Sequence, residues 1–280
     1  MICPDGHQGK RGKESLVAAT DNRTIADKLP SWAPELQLLA GFDFRINGKS
    51  ITVPVGTQRV LALLGVHGRP LTRPYAAGTL WPSATRERSM ACLRSALRGC
   101  QPTLLPRSHT QLSLADWRMV DYQRCVCAAR EILSGGRGIA LSEPTVAEAA
   151  ETVLGLFQGE LLPDFADEWL EPFRLDHHYL RIQALEALAE KFMQVRQPAP
   201  AARAAAIAIA AEPFRESAHL WLLRALLAEG NRAQAIMHYE GLRRQLLMEL
   251  GVTPSFELAD LLSRDTACQE EASRNNGLPG

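Results

Sequence analysis

The 280-residue sequence has no net charge at pH 7, few aromatic residues (6%) and no apolar run long enough to span a membrane. Its first residues also lack the apolar core of a secretory signal, so we expect a cytoplasmic protein with no membrane partner. Hydrophobic residues nevertheless make up 46% of the chain, which is enough for one or two well-buried domains.

Motifs for catalysis and cofactor binding are lacking as well. There is no G-x-S-x-G, no H-E-x-x-H and no complete P-loop. Gly48-Lys49-Ser50 resembles the end of a P-loop, but the first glycine of that motif would fall at Asp43, and a strand rather than a helix follows. The scattered cysteines include Cys125 and Cys127, which have no second pair at zinc-ligand spacing. We therefore predict no enzyme, no catalytic residue, no cofactor and no metal.

One cluster of titratable residues leaves a metal site as an alternative. Its members are four carboxylates and two histidines: Asp164, Asp167, Glu168, Glu171, His177 and His178. Their spacing matches no ligand motif, and adjacent histidines on a helix point to different faces. The pattern favours a solvated helix start, where the helix dipole stabilises carboxylates.

Charge is distributed unevenly along the chain. Residues 31–118 carry eleven basic and four acidic residues, whereas residues 119–280 carry fifteen basic and twenty-three acidic ones. A basic first half suits a polyanionic partner, and an acidic second half suits a protein with a basic surface.

A β-hairpin is predicted near the start of the basic half. Phe42, Phe44 and Ile46 alternate with polar residues, Asn47-Gly48 follows, and a second alternation continues to Val55. Asn-Gly between two alternating runs is a strong hairpin signal, because a type I′ turn requires positive φ at both central residues.

Three helices and a second hairpin follow. Two short helices end at Gly68 and at Trp81-Pro82, and a third is predicted over 84–99 with Thr85 as its N-cap. The third helix buries a stripe predicted from its periodicity: Met90, Leu93, Leu97 and Cys100. Its other face is small and basic, as a helix in the DNA major groove requires. The alternative is a core helix with an ordinary solvated basic face.

Two short strands are predicted around residues 107–110, which would form the wing of a winged helix and touch phosphates or the minor groove. The predicted DNA-binding residues lie on the third helix and at the wing tip: Arg86, Arg88, Arg94, Ser95, Arg98, Arg107, Ser108, His109 and Thr110.

The second half is rich in Ala, Leu and Glu and predicts helices from Val120 onward. A capping box is predicted at 145–148. Ala199 and Ala201 match Ala233 and Ala235 at an offset of 34, with Ala205 corresponding to Tyr239. Paired helices with this period are typical of tetratricopeptide-like arrays, which bind proteins or peptides.

Several separated stretches occur in the order found in one family: LLAGFDFRINGKSITVPVGTQRVLALLGVHGRPL, AAGTLWP, CLRSALR, GELLPDFADEWLE, LRIQALEALAE and EPFRESAHLWLLRALLAEGNRAQAIMHYEGLRRQLLMELGVTPS. On these stretches, which span roughly residues 36–258, the sequence resembles the antibiotic regulatory protein (SARP) family of bacterial transcription activators. The resemblance implies a mostly α fold with a small β component. An OmpR-type winged helix (34–118) would precede an all-α tetratricopeptide-like activation domain (119–262). The polar composition of residues 1–33 and 263–280 predicts disordered tails on either side of these domains.

The resemblance also implies a function and its partners. It implies activation of a secondary-metabolite gene cluster by binding double-stranded DNA at direct-repeat promoter sites, contact with RNA polymerase, and a homodimer on the DNA. The family usually continues the third helix with an aromatic residue and further arginines, whereas here Gly99 and Pro102 end it. The alternative is therefore a tetratricopeptide interaction module whose winged helix no longer binds DNA.

Overall fold

The Asn47-Gly48 turn joins two antiparallel strands, as predicted. The computed structural model describes residues 34–100, 105, 108–134 and 153–263. Strands β1 (Glu35–Gln37), β2 (Asp43–Ile46) and β3 (Lys49–Ser50) form a sheet in chain order. Ile46 pairs with Lys49, and φ is +53° at Asn47 and +71° at Gly48, which confirms the type I′ turn. The alternation does not extend to Val55, which is 70% exposed and begins the first helix.

Three helices complete the first domain: α1 (Val55–His67), α2 (Arg73–Leu80) and α3 (Arg86–Arg98). A two-residue strand, β4 (Leu71–Thr72), lies between α1 and α2 and pairs with β5 (Gln111–Leu112). The sequence did not predict β4, because two residues are too few to show a strand period. The first strand of the predicted wing hairpin lies largely outside the described residues.

A leucine-rich core holds these helices against the β4–β5 ribbon. The side chains at its centre are fully or almost fully buried: Leu63, Leu71, Leu80, Leu93 and Leu112. Because Leu71 and Leu112 pair across the ribbon, the core fixes the wing strand relative to α3.

The second half is helical. Helix α4 (Asp121–Leu133) begins one residue later than predicted. Four further long helices are described after it: α5 (Glu171–Gln194), α6 (Pro198–Ala211), α7 (Glu216–Ala228) and α8 (Arg232–Leu250). Residues 153–156 and 258–263 are also helical. Ala201 and Ala205 on α6 and Ala235 and Tyr239 on α8 are buried, whereas Ala199 and Ala233, the other pair matched by the 34-residue offset, are exposed. The predicted capping box at 145–148 lies outside the described residues.

The two halves of the chain, before and after residue 118, contact each other directly. Val120 forms a parallel bridge with Leu36, and the Asp121 carboxylate accepts backbone hydrogen bonds from Leu38 (2.8 Å) and Leu39 (3.1 Å). Leu39 also bridges to Leu161. One hydrophobic core therefore continues from the first sheet into α4, α5 and α6. The domain boundaries in the sequence stay predictions, and the last described helix reaches Ser263.

Candidate nucleic-acid interface

Helix α3 presents one basic, solvent-facing side. The Thr85 side chain accepts a hydrogen bond from the backbone N–H of Arg88 at 3.4 Å, which confirms the predicted N-cap. All predicted contact residues of this helix are exposed: Arg86, Arg88, Arg94, Ser95 and Arg98. Ala91 is exposed between them, so a polyanion could approach the helix closely.

The buried side of α3 differs from the predicted stripe. Leu93 is fully buried, but Met90, Leu97 and Cys100 are only half-buried. Ser89 and Ala96 take the remaining buried positions. Small side chains lie there because α1 approaches closely; a Cβ at Gly56 would lie 3.5 Å from the Ala96 Cβ.

The C-terminal end of α3 is held by α1. The buried Thr57 hydroxyl donates a hydrogen bond to the Ala96 carbonyl at 2.8 Å. Gly99 caps the helix with φ −79°, a conformation that any residue adopts, so its backbone does not require glycine. A Cβ at Gly99 would instead overlap the Thr57 hydroxyl oxygen. Glycine is therefore needed at this position for the close approach of α1.

The described part of the wing is organised by its own hydroxyl and by α2. The Ser108 hydroxyl oxygen accepts hydrogen bonds from the backbone N–H groups of Thr110 (3.4 Å) and Gln111 (3.2 Å). Arg73 donates from its guanidinium to the Ser108 carbonyl at 2.9 Å and from its backbone to the Thr110 carbonyl at 3.2 Å. His109 and Thr110 are exposed, Ser108 is half-buried, and Arg107 lies outside the described residues.

Arg73 and Arg59 make structural contacts that the sequence did not predict. Arg73 positions the wing, and Arg59 on α1 connects the two halves of the molecule. The Arg59 Nε lies 3.0 and 3.2 Å from the Asp167 carboxylate oxygens, and its Nη2 donates to the Leu80 carbonyl at 2.6 Å. No motif distinguishes these arginines from exposed ones, because their partners lie 35 and 108 positions further along the chain.

The acidic cluster with its two histidines does not assemble into a metal site. Asp167 is bound to Arg59, and in the described part of the chain no group of three His, Cys, Asp or Glu side chains is arranged to hold a metal. His177 is buried beside Cys125, with 3.7 Å between Nε2 and Sγ, whereas His178 is half-exposed and lies 3.2 Å from Glu212. The adjacent histidines thus point to different faces, as predicted.

The buried thiol and imidazole are both uncharged near neutral pH. Desolvation raises the pKa of Cys125 to about 12. Desolvation, together with the positive charge of Arg181, lowers the pKa of His177 to about 4. A thiolate–imidazolium pair of the kind used in nucleophilic catalysis is therefore not formed at this position.

The fold and this surface define a winged-helix protein that carries an all-helical, tetratricopeptide-like domain. A family model described as the bacterial transcriptional activator domain matches residues 123–264, and the chain belongs to this family. The match confirms the resemblance stated from the sequence. The family is one of transcriptional regulators and not of enzymes. Among the described residues, no helix combines the length and apolarity needed to cross a bilayer.

Two comparisons with individual proteins agree. The regulatory protein AfsR of Streptomyces griseus is 34% identical over 122 residues, which cover 44% of this chain and 12% of AfsR. Mycobacterium tuberculosis EmbR, solved in complex with a low-affinity phosphopeptide, matches with a TM-score of 0.58 at 19% identity. That match covers 84% of this chain and 65% of the EmbR chain, and it confirms the fold class. The chain thus spans less than two thirds of either protein.

Proposed function

We propose that the chain is a sequence-specific DNA-binding activator of transcription and that α3 is its recognition helix. The observation that carries the proposal is the exposed basic face of α3, where arginines surround the small residues Ala91 and Ser95. An arginine in the major groove donates two hydrogen bonds to guanine or grips a phosphate. The proposed contacts are Arg86, Arg88, Arg94, Ser95 and Arg98, with Arg107, Ser108, His109 and Thr110 from the wing.

The proposed partners follow from the two halves. Double-stranded DNA with direct-repeat promoter sites is bound by the basic winged helix, and RNA polymerase is contacted by the acidic helical domain. Two copies lie side by side on the repeats. Family membership and the uneven charge support these assignments. The resemblance to the SARP family supports a secondary-metabolite gene cluster as the target, and the similarity to the regulatory protein AfsR supports a regulatory role.

A footprint on the promoters neighbouring the gene tests the proposal. The purified chain should protect two short repeats on one face of the DNA, and protection should weaken steeply between low and moderate salt, because phosphate contacts release counterions. A chain carrying Arg94→Ala and Arg98→Ala is compared with one carrying Arg203→Ala and Arg232→Ala, which lie in the helical domain. Only the first pair should lose the footprint.

The second candidate function is a protein-interaction module without DNA binding. It is favoured by the end of α3 at Arg98, since a helix that stops there offers fewer phosphate contacts. Uniform weak retention on all DNA sequences, or none at low salt, would contradict the activator and favour this candidate.

A further inference from the structure

Helix α8 carries more exposed large hydrophobic side chains than any other described helix, and most of them lie on its outward face. Four large hydrophobic side chains lie on it: Ile236 (42% exposed), Met237 (76%), Leu247 (56%) and Met248 (77%). The opposite side of α8 is buried against α7 and the helical segment 258–263. Exposed methionines and leucines in this number on one helix face are typical of an interaction surface.

This face has the same pattern when it is followed from either end. Apolar residues lie at 236 and 237 and again at 247 and 248, and between them come Glu240 and Arg244. Each of these positions has a counterpart at equal distance from position 242. Gly241 lies on the same face, and a Cβ built there would meet no atom within 4 Å, so a second helix could approach closely at the centre.

We propose that α8 pairs antiparallel with α8 of a second copy of this chain, about a two-fold axis near position 242. In that arrangement Glu240 of each copy lies opposite Arg244 of the other, and residues 236 and 237 pack against residues 247 and 248. Charge complementarity selects a second copy as the occupant, because a self-pairing helix needs the acid and the base at mirrored positions. Glu240 also lies 3.7 Å from Arg243 of its own helix, but that pair is more than half exposed and contributes little.

The proposal goes beyond DNA binding and does not depend on it. A two-fold axis relates two α8 helices, whereas copies on direct repeats are related by a translation along the DNA. The α8 pair is therefore a contact of the protein in solution. Because a single pair of helices forms a small interface, we expect a dissociation constant on the order of tens of micromolar.

Sedimentation equilibrium of the full chain without DNA tests the pairing. The wild type should change from monomer to dimer between about 1 and 200 μM, the range that brackets such an affinity. Leu247→Glu should raise the dissociation constant at least tenfold. Leu175→Glu is the matched control, since Leu175 is 54% exposed on α5 and lies away from this face; it should leave the dimer unchanged.

A charge exchange identifies the partner residues. Glu240→Arg and Arg244→Glu should each weaken the dimer, because like charges then face one another, and the chain with both changes should dimerise again. Circular dichroism and thermal unfolding confirm that each variant is folded.

Three results would overturn the proposal: a wild type that stays monomeric, a dimer that tolerates Leu247→Glu, or a double exchange that does not restore pairing. If the wild type is monomeric and Leu247→Glu lowers its stability, another part of the same chain covers the face.

Discussion

The arginines of the winged helix differ in what their guanidinium groups contact. Arg59 binds a carboxylate of the helical domain, and Arg73 holds a carbonyl of the wing. Arg94 and Arg98 face solvent from α3. Because a guanidinium already bound within the protein has fewer donors left for DNA, the α3 arginines are the better candidates for base or phosphate contacts.

Replacing Arg94 with Ala should weaken binding to the operator by about 1–3 kcal/mol if this side chain contacts a base edge. The control is Arg232→Ala, an exposed arginine on α8. Binding is measured by fluorescence anisotropy with specific and scrambled DNA at two salt concentrations. An equal loss on both DNAs, with a shallower salt dependence, would identify a phosphate contact instead. No loss on either DNA would remove Arg94 from the interface.

Burial of His177 makes the stability depend on pH. Its pKa is lowered to about 4 in the folded chain, whereas an unfolded histidine titrates near 6.5. The unfolded state therefore binds the extra proton first, so the contribution of His177 is fully present above about pH 6.5 and is lost as the pH falls toward 4. The loss should reach up to about 3 kcal/mol.

Urea unfolding at pH 7 and pH 5 measures the part of this loss that falls between the two pH values, about 2 kcal/mol. His177→Gln should reduce the difference in unfolding free energy between the two pH values, whereas His109→Gln in the exposed wing should not. Burial also lowers the pKa of three other histidines: His67, His219 and His238. The unfolding free energy of the variant should therefore still fall somewhat as the pH is lowered. If His177→Gln shows the same difference in unfolding free energy between pH 7 and pH 5 as the wild type, this histidine does not cause the loss of stability at low pH.

At the scale of elements, the position of α3 depends on its contact with α1. The Thr57 hydroxyl bonds the Ala96 carbonyl, and Gly99 lies directly over that hydroxyl. The helix end is thus determined by packing against α1 and not by backbone strain. The same contact sets where the exposed basic face of α3 ends.

Gly99→Ala should lower the free energy of unfolding by about 1–3 kcal/mol, because its methyl group must displace the Thr57 hydroxyl. Combining it with Thr57→Ala should cost less than the sum of the two single changes, since the obstructing hydroxyl is then absent. Gly78→Ala on α2 is the control: a Cβ there meets no atom within 4 Å, so this change should stabilise the chain by about 0.5–1 kcal/mol. Denaturant unfolding distinguishes these outcomes. A neutral Gly99→Ala would contradict the packing account.

At the scale of the whole molecule, a polar contact supplements the shared core. Arg59 binds Asp167, which precedes α5, and it also donates to the Leu80 carbonyl at the end of α2. Helix α3 begins shortly after Leu80, at Arg86. The Arg59 and Asp167 side chains are 24% and 13% exposed, so water screens their attraction only partly. A second contact between α1 and α5 is aromatic: the ring of Phe173 on α5 lies edge-on to His67 on α1, with 4.9 Å between centroids.

Asp167→Asn should lower the free energy of unfolding by about 1.5–3 kcal/mol, the range for hydrogen bonds to charged groups. Asp164→Asn, an exposed carboxylate of the same acidic segment, should change it little. In a double-mutant cycle with Arg59→Gln, most of this loss in unfolding free energy should appear as the coupling free energy between the two residues. Additive effects would mean that the two side chains act independently.

Elements with a local sequence signal were predictable without the structure. The Asn47-Gly48 hairpin, the Thr85 cap and the 34-residue offset between α6 and α8 depend on neighbouring residues or on a repeat, and each was predicted. The wing contacts and the DNA-binding role of α3 stay predictions.

Contacts between residues far apart in the chain became visible only in the folded molecule. The sequence treated Asp167 as part of a solvated helix start and left β4, Arg59 and Arg73 without a role. Their roles depend on partners that folding brings together from distant positions. Hydrogen bonds between such partners produce no periodic pattern in the sequence. The reason is physical: periodicity records which side of an element is buried, whereas the identity of the neighbour on that side is set by packing.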